Sequence, residues 1–152
     1  MRYLSRWPVD GRVFRRRARR GGGTLLVDTS GSMSLDVADL DRLLLSTPHG
    51  MRVAIYSGSG DVGELRIVAD GVRRAAVEHL ARFGSGNVVD LPALEWLARQ
   101  PLPRLWVSDG GVTGIGDRGS LALKERCAAL CRRARIRRVA KLDEAAALLK
   151  TA

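Results

Sequence analysis

The stretch TLLVDTSGSM, residues 24–33, decides the fold. Thr24-Leu25-Leu26-Val27 is too short for a helix and rich in residues that favour strands, so it reads as a strand buried on both faces. Asp28 stands where that strand ends. Beyond it, Ser34 is placed to cap a helix in which Val37, Leu40 and Leu44 share one face, while Asp36, Asp39 and Asp41 suit the positive end of its dipole. The segment between is a strand-to-helix loop carrying one carboxylate and two hydroxyls, and in open α/β sheets such loops are where ligands bind.

The same alternation continues downstream. MRVAIYSG (51–58) and ELRIVAD (64–70) read as strands, and the linker SGSGDVG is too short for a parallel crossover, so they pair as an antiparallel hairpin. A helix is predicted over 72–83 with Val72, Ala76, Leu80 and Phe83 on one face. FGSGNVVDLPALEWLARQP (83–101) opens as a glycine-rich loop and continues as a helix, with Asp90 as its cap, Pro92 in the first turn, and Leu91, Leu94 and Leu97 inward. RLWVSDGG (104–111) is another short apolar strand ending in an aspartate. A helix over 118–134, a strand over 137–141 and a helix over 143–150 complete an α/β chain. The fold class is a Rossmann-like three-layer sandwich: a mostly parallel sheet with one antiparallel edge strand and helices on both faces.

With 152 residues, 45% of them hydrophobic, the chain is long enough for one domain with a core. It has no apolar stretch of about 20 residues and no signal-peptide apolar region, which predicts a cytoplasmic protein without a membrane partner. The formal charge of +10 is almost all arginine, because Lys124, Lys141 and Lys150 are the only lysines. Residues 1–23 read as a basic, glycine-ended linker or extension, more like a join to something upstream than a domain edge, with residues 24–152 as the domain. Within that linker, Arg15, Arg16, Arg17, Arg19 and Arg20 are candidates for contact with nucleic acid or an acidic partner. Cys127 and Cys131 lie one turn apart on a helical face with Leu123, Leu130 and Ala134. No second Cys/His pair completes a zinc site, so they read as packing residues. His79 lacks a ligand companion and reads as a structural or surface histidine.

Parallel strands point their carboxyl ends one way, so Asp28 and Asp109 emerge at the same sheet edge, where Ser30 and Ser32 join them. These donors are hard oxygens, a set suited to Mg2+, or to Mn2+ or Ca2+, rather than to zinc or copper. Hydrogen bonding of Asp28, Ser30 and Ser32 to loop amides is the competing use of the same atoms.

DTSGSM resembles the Asp-x-Ser-x-Ser signature of von Willebrand factor A domains, and VSDGG around Asp109 resembles the family's later aspartate-bearing loop; the resemblance spans roughly residues 24–150. It implies a metal-ion-dependent adhesion site with Asp28, Ser30, Ser32 and Asp109 as ligands. It also implies a threonine from a second loop, but here Val88 falls at that position and cannot coordinate a metal, leaving Asn87 or Asp90 as substitutes. The function implied is a non-catalytic adaptor that binds a protein partner supplying an acidic residue to the metal. Bacterial intracellular members of the family often partner AAA+ ATPases of the MoxR or chelatase kind. Two alternatives differ in class. One is a nucleic-acid-associated module acting through the arginine segment. The other is a Mg-dependent phosphohydrolase of the haloacid-dehalogenase type with Asp28 as nucleophile, whose signature wants an aspartate where Ser30 stands.

Overall fold

The computed structural model describes residues 22–59, 62–81, 84 and 90–150. Strand β1 (Thr24–Asp28) is buried along its whole length. It has a neighbour on each side, β2 (Arg52–Ser59) and β5 (Arg104–Val107), both parallel to it, with Val27 in register with Ile55 and with Val107. This double flanking is why its sequence is apolar without alternation. Strand β3 (Val62–Asp70) runs antiparallel to β2, and the two-residue β4 (Arg73–Arg74) returns along the end of β3. Strand β6 (Ile136–Val139) pairs parallel to β5, giving the six-stranded order β4-β3-β2-β1-β5-β6.

Among the described residues four α-helices cover the two faces. Helix α1 (Val37–Ser46) and helix α4 (Leu142–Lys150) supply Leu40, Leu43, Leu44, Ala145 and Leu149 to a core built on Leu25, Val27, Val53, Ile55 and Val107. Helix α2 (Asp90–Ala98) and helix α3 (Leu121–Arg133) supply Ala93, Leu94, Leu97, Cys127 and Leu130 to a second core on Leu26, Ala54, Tyr56 and Trp106. Alternate residues of β1 therefore feed opposite cores, and each buried leucine or valine contributes about 1.5–3 kcal/mol. The predicted three-layer α/β class, with its hairpin and mostly parallel sheet, is the observed one. The antiparallel strand is capped at the sheet margin by the short β4.

Local details depart from the sequence reading in three places. Ser34 does not cap α1: it sits at φ 50 behind a 3-10 turn over Gly31–Met33, and Asp36 is the cap. Asp36 accepts from the Asp39 amide at 2.7 Å while Asp39 accepts from the Asp36 amide at 3.3 Å, a reciprocal capping box. The helix predicted over 72–83 is replaced by β4 and a 3-10 turn over Val77–Leu80. Gly71, at φ 67, turns the chain so that the Ala75 amide bonds back to the Val68 carbonyl, which leaves Val72 82% exposed and Ala76 exposed while Leu80 enters the core. Phe83 lies outside the described residues. Asp90 is the first helical residue of α2 rather than its cap, and its side chain turns inward.

Cys127 and Cys131 face the second core with Leu123, Leu130 and Ala134 as expected, and both are free thiols. His79 is exposed. Among the described residues no helix is long and apolar enough to cross a membrane.

Candidate metal centre

The chain leaves β1 towards α1, on one face of the sheet, and leaves β5 towards α3, on the other. Since β1 and β5 are neighbours, their loops diverge and open a crevice at the carboxyl edge, the topological switch point of this sheet. Asp109 is exposed at its mouth and Asp28 is buried at its base.

Asp28 is 0% exposed. Its Oδ1 accepts from the Ser30 amide at 2.8 Å and its Oδ2 from the Ser108 hydroxyl at 3.1 Å, so one carboxylate ties the two loops together. The Ser108 hydroxyl accepts in turn from the Gly110 amide at 3.1 Å. Thr29 fastens the first loop to β2, with its amide and hydroxyl each 2.9 Å from the Tyr56 carbonyl. The 3-10 turn then brings the Ser30 and Ser32 hydroxyl oxygens to 3.1 Å from each other. Ser30 is buried and Ser32 exposed, so the pair spans the crevice wall from inside to outside.

Asp109 is exposed, and its Oδ1 accepts from the Gly111 amide at 2.8 Å. Its own amide points across the crevice to the Met33 sulfur at 3.1 Å. From β6, Arg138 Nη1 donates to the carbonyls of Ser108 (3.2 Å) and Asp109 (2.8 Å). The guanidinium leaves no room above Gly110: at φ 86, a Cβ there would lie 2.7 Å from Arg138 Nη1.

Asp90 lies deeper. It is 0% exposed, accepts from the Tyr56 hydroxyl at 2.8 Å and from the Thr113 amide at 2.9 Å, and so braces the loop that follows Asp109. The Tyr56 hydroxyl accepts from Trp106 Nε1 at 3.0 Å. Burial pushes the Asp90 carboxyl up to about 7, opposed by the Thr113 and Tyr56 hydrogen bonds and reinforced by the charges of Asp28 and Asp109. Burial likewise raises Asp28, against the bonds from Ser30 and Ser108. The Tyr56 phenol is raised well above its ordinary value, first by burial and then by the charges of Asp28 and Asp90.

The structure therefore brings Asp28, Ser30, Ser32 and Asp109 to one crevice and directs Asp90 to Tyr56 and Thr113. Asn87 and Val88 fall outside the described residues, as do Arg15, Arg16, Arg17, Arg19 and Arg20. Sequence reasoning did not single out Ser108, Met33, Arg138, Tyr56 or Thr113 for this site. Ser108 and Met33 carried a signal, since each lies within one of the two loop motifs, VSDGG and DTSGSM, whereas Thr113 acts through its backbone amide and Tyr56 and Arg138 act from other strands.

The donor set fits a small hard cation. The 3.1 Å between the serine hydroxyls is close to the edge of an octahedron with metal–oxygen distances of about 2.0–2.1 Å. Among the described residues no lysine or arginine ion-pairs with the carboxylate of Asp28 or Asp109. Also among them, no three carboxylate, imidazole or thiolate groups converge, so protein ligation relies on hydroxyls and leaves coordination positions to water or a partner. Ser30, Ser32 and Asp109 are the groups that would hold the ion, with Asp28 adding charge from behind them. Comparison of the chain with protein-family models, curated proteins and solved structures gave no match.

Proposed function

We propose that this chain is a non-catalytic interaction domain of the von Willebrand factor A kind, in which a divalent cation, Mg2+ foremost, completes the docking surface for a protein partner. The observation that carries the reading is the paired Ser30 and Ser32 hydroxyls, 3.1 Å apart, at a switch-point crevice flanked by Asp28 and Asp109. A cation held there by few protein ligands retains positions for an acidic side chain of the partner. The partner class implied by the resemblance is an AAA+ ATPase of an intracellular bacterial system.

The burial of Asp28 supports the adaptor over a phosphohydrolase. A nucleophilic carboxylate needs an open line to phosphorus, whereas both oxygens of Asp28 accept hydrogen bonds from the protein and the residue has no exposed surface. Ser30, in the place of the acid/base aspartate, supports it further.

The test is titration calorimetry with MgCl2 and MnCl2 on the wild-type chain, Asp28→Ala and Asp109→Ala, followed by affinity capture of a partner with and without chelator. Saturable binding by the wild type, lost in both variants, with chelator-sensitive capture and no turnover of p-nitrophenyl phosphate, is the expected result. Absence of divalent-ion binding at millimolar concentration, or Mg-dependent phosphatase activity lost in Asp28→Asn, would overturn it.

A further inference from the structure

Helix α3 carries Cys127 and Cys131 one turn apart, and both side chains line a single cleft of about 540 Å3 between that helix and strands β5 and β6, with Trp106 also lining it. Both thiols are free. Cys127 is 1% exposed and its thiol makes no hydrogen bond among the described residues, while Cys131 is half-buried. Packing accounts for the sulfur of Cys127. Cys131 adds a second sulfur to the same concave space, where solvent reaches it.

Spacing decides what the pair can do. Side chains four residues apart on a helix have Cβ atoms about 5–6 Å from each other, whereas a disulfide brings them to about 3.5–4.5 Å. The two cysteines therefore cannot bond to each other while the helix stays wound. A single ion between them meets no such obstacle, because two thiolate–metal bonds of about 2.3 Å, laid in line, span about 4.6 Å. Rotation about the Cα–Cβ bonds reaches that span with the backbone in place. Among the described residues no third carboxylate, imidazole or thiolate joins the pair, so the four-coordinate arrangement that zinc takes is not offered there. Two sulfurs alone suit a soft, closed-shell monovalent cation. The walls suit the product as well: one such cation with two thiolates carries one negative charge, and Lys124, Arg132 and Arg138 outnumber the carboxylates of Asp109 and Glu125 around the cleft. Burial raises the Cys131 thiol, and the charge of Arg138 opposes that rise.

We infer that Cys127 and Cys131 form a two-coordinate thiolate site for a soft monovalent cation, Cu+ foremost. One ion enters, the two S–H protons leave, and no oxidation state changes. The sulfur donors here and the hard oxygen donors at the Ser30–Ser32 crevice select different ions, so this site stands independently of the adaptor reading.

The test titrates the full, reduced chain anaerobically with Cu+ against bicinchoninate, a chromogenic chelator that competes for the ion, with Zn2+ in a parallel titration. The wild type should withdraw one Cu+ per chain and release two protons for each, with its circular dichroism unchanged. Cys131→Ser, at a half-buried position that accommodates a hydroxyl, should weaken uptake about a hundredfold or more, because a second donor on the same scaffold acts at high effective concentration. Cys127→Ala, which keeps an apolar side chain in the core, should do the same. Cu+ uptake undiminished in Cys131→Ser, one ion shared between two chains, or Zn2+ held as tightly as Cu+ would overturn the assignment.

Discussion

The Tyr56 hydroxyl donates to Asp90 Oδ1 across 2.8 Å, and neither residue has more than 1% of its surface exposed. Since the same hydroxyl accepts from Trp106 and Asp90 also accepts from the Thr113 amide, this one bond links β2, α2, β5 and the loop beyond Asp109. Tyr56→Phe strands a buried indole N–H and a buried carboxylate oxygen together. A loss of about 2–4 kcal/mol is expected from urea denaturation, above the 1–3 kcal/mol of a single unsatisfied neutral group.

Asp90 should also give the stability a pH slope. Its carboxyl is at about 7 in the folded chain against an ordinary 3.8, so between those values the native state keeps a proton that the unfolded state has released. Stability therefore falls as pH rises from about 4 to about 7 and levels off above, by on the order of a few kcal/mol, and the raised carboxyl of Asp28 acts in the same direction. Asp90→Asn imitates the protonated acid, accepting from Thr113 and donating to Tyr56. Chemical denaturation from pH 4 to pH 8 should show a shallower slope in that variant, and an undiminished slope would assign the effect to other groups.

Ser108→Ala cuts the tie between the two crevice loops. It removes the donor to Asp28 and the acceptor of the Gly110 amide while leaving the strand intact. The expected cost is about 1–3 kcal/mol, with faster hydrogen exchange at Ser30 and Gly110 than in the wild type. Unchanged exchange at both amides would show that the Ser108 hydroxyl is not what holds the two loops together.

Cys127 should be nearly inert to thiol reagents. Burial raises its thiol to about 11, and it packs under Leu130 in the second core, so almost none is thiolate at pH 8. Colorimetric titration with a disulfide reagent should label Cys131 first and Cys127 only on addition of urea. Equal rates in the folded chain would contradict the packing described.

The sequence reading succeeded where a residue's role follows from its own strand or helix. The apolar run 24–27 and the leucines of α2 reveal their burial by composition alone, and Asp28 and Asp109 reveal their shared edge through the parallel order of the strands. It failed at 72–83, where an apparent helical stripe was overridden by the turn at Gly71 and the pairing of β4 with β3, a tertiary choice that periodicity cannot register. It misplaced the α1 cap because a 3-10 turn inserts between Ser34 and the helix. The purpose of Asp90 was hidden for a different reason: its partners are 34 and 23 positions away, and a capping carboxylate and a buried brace look identical in one dimension.

Val27 and Val107 are in register on adjacent strands, so the two crevice loops depart from points one interstrand spacing apart, about 4.8 Å. The sheet, not the loops, sets the distance at which their side chains meet. Either loop can therefore be exchanged for another of different length and chemistry without redrawing the frame, because the ladder that spaces them is completed upstream of both. For protein engineering this makes the carboxyl edge a two-socket scaffold: grafts after Asp28 and after Ser108 inherit a fixed separation, and new specificity can be selected in the inserts while the six strands remain untouched.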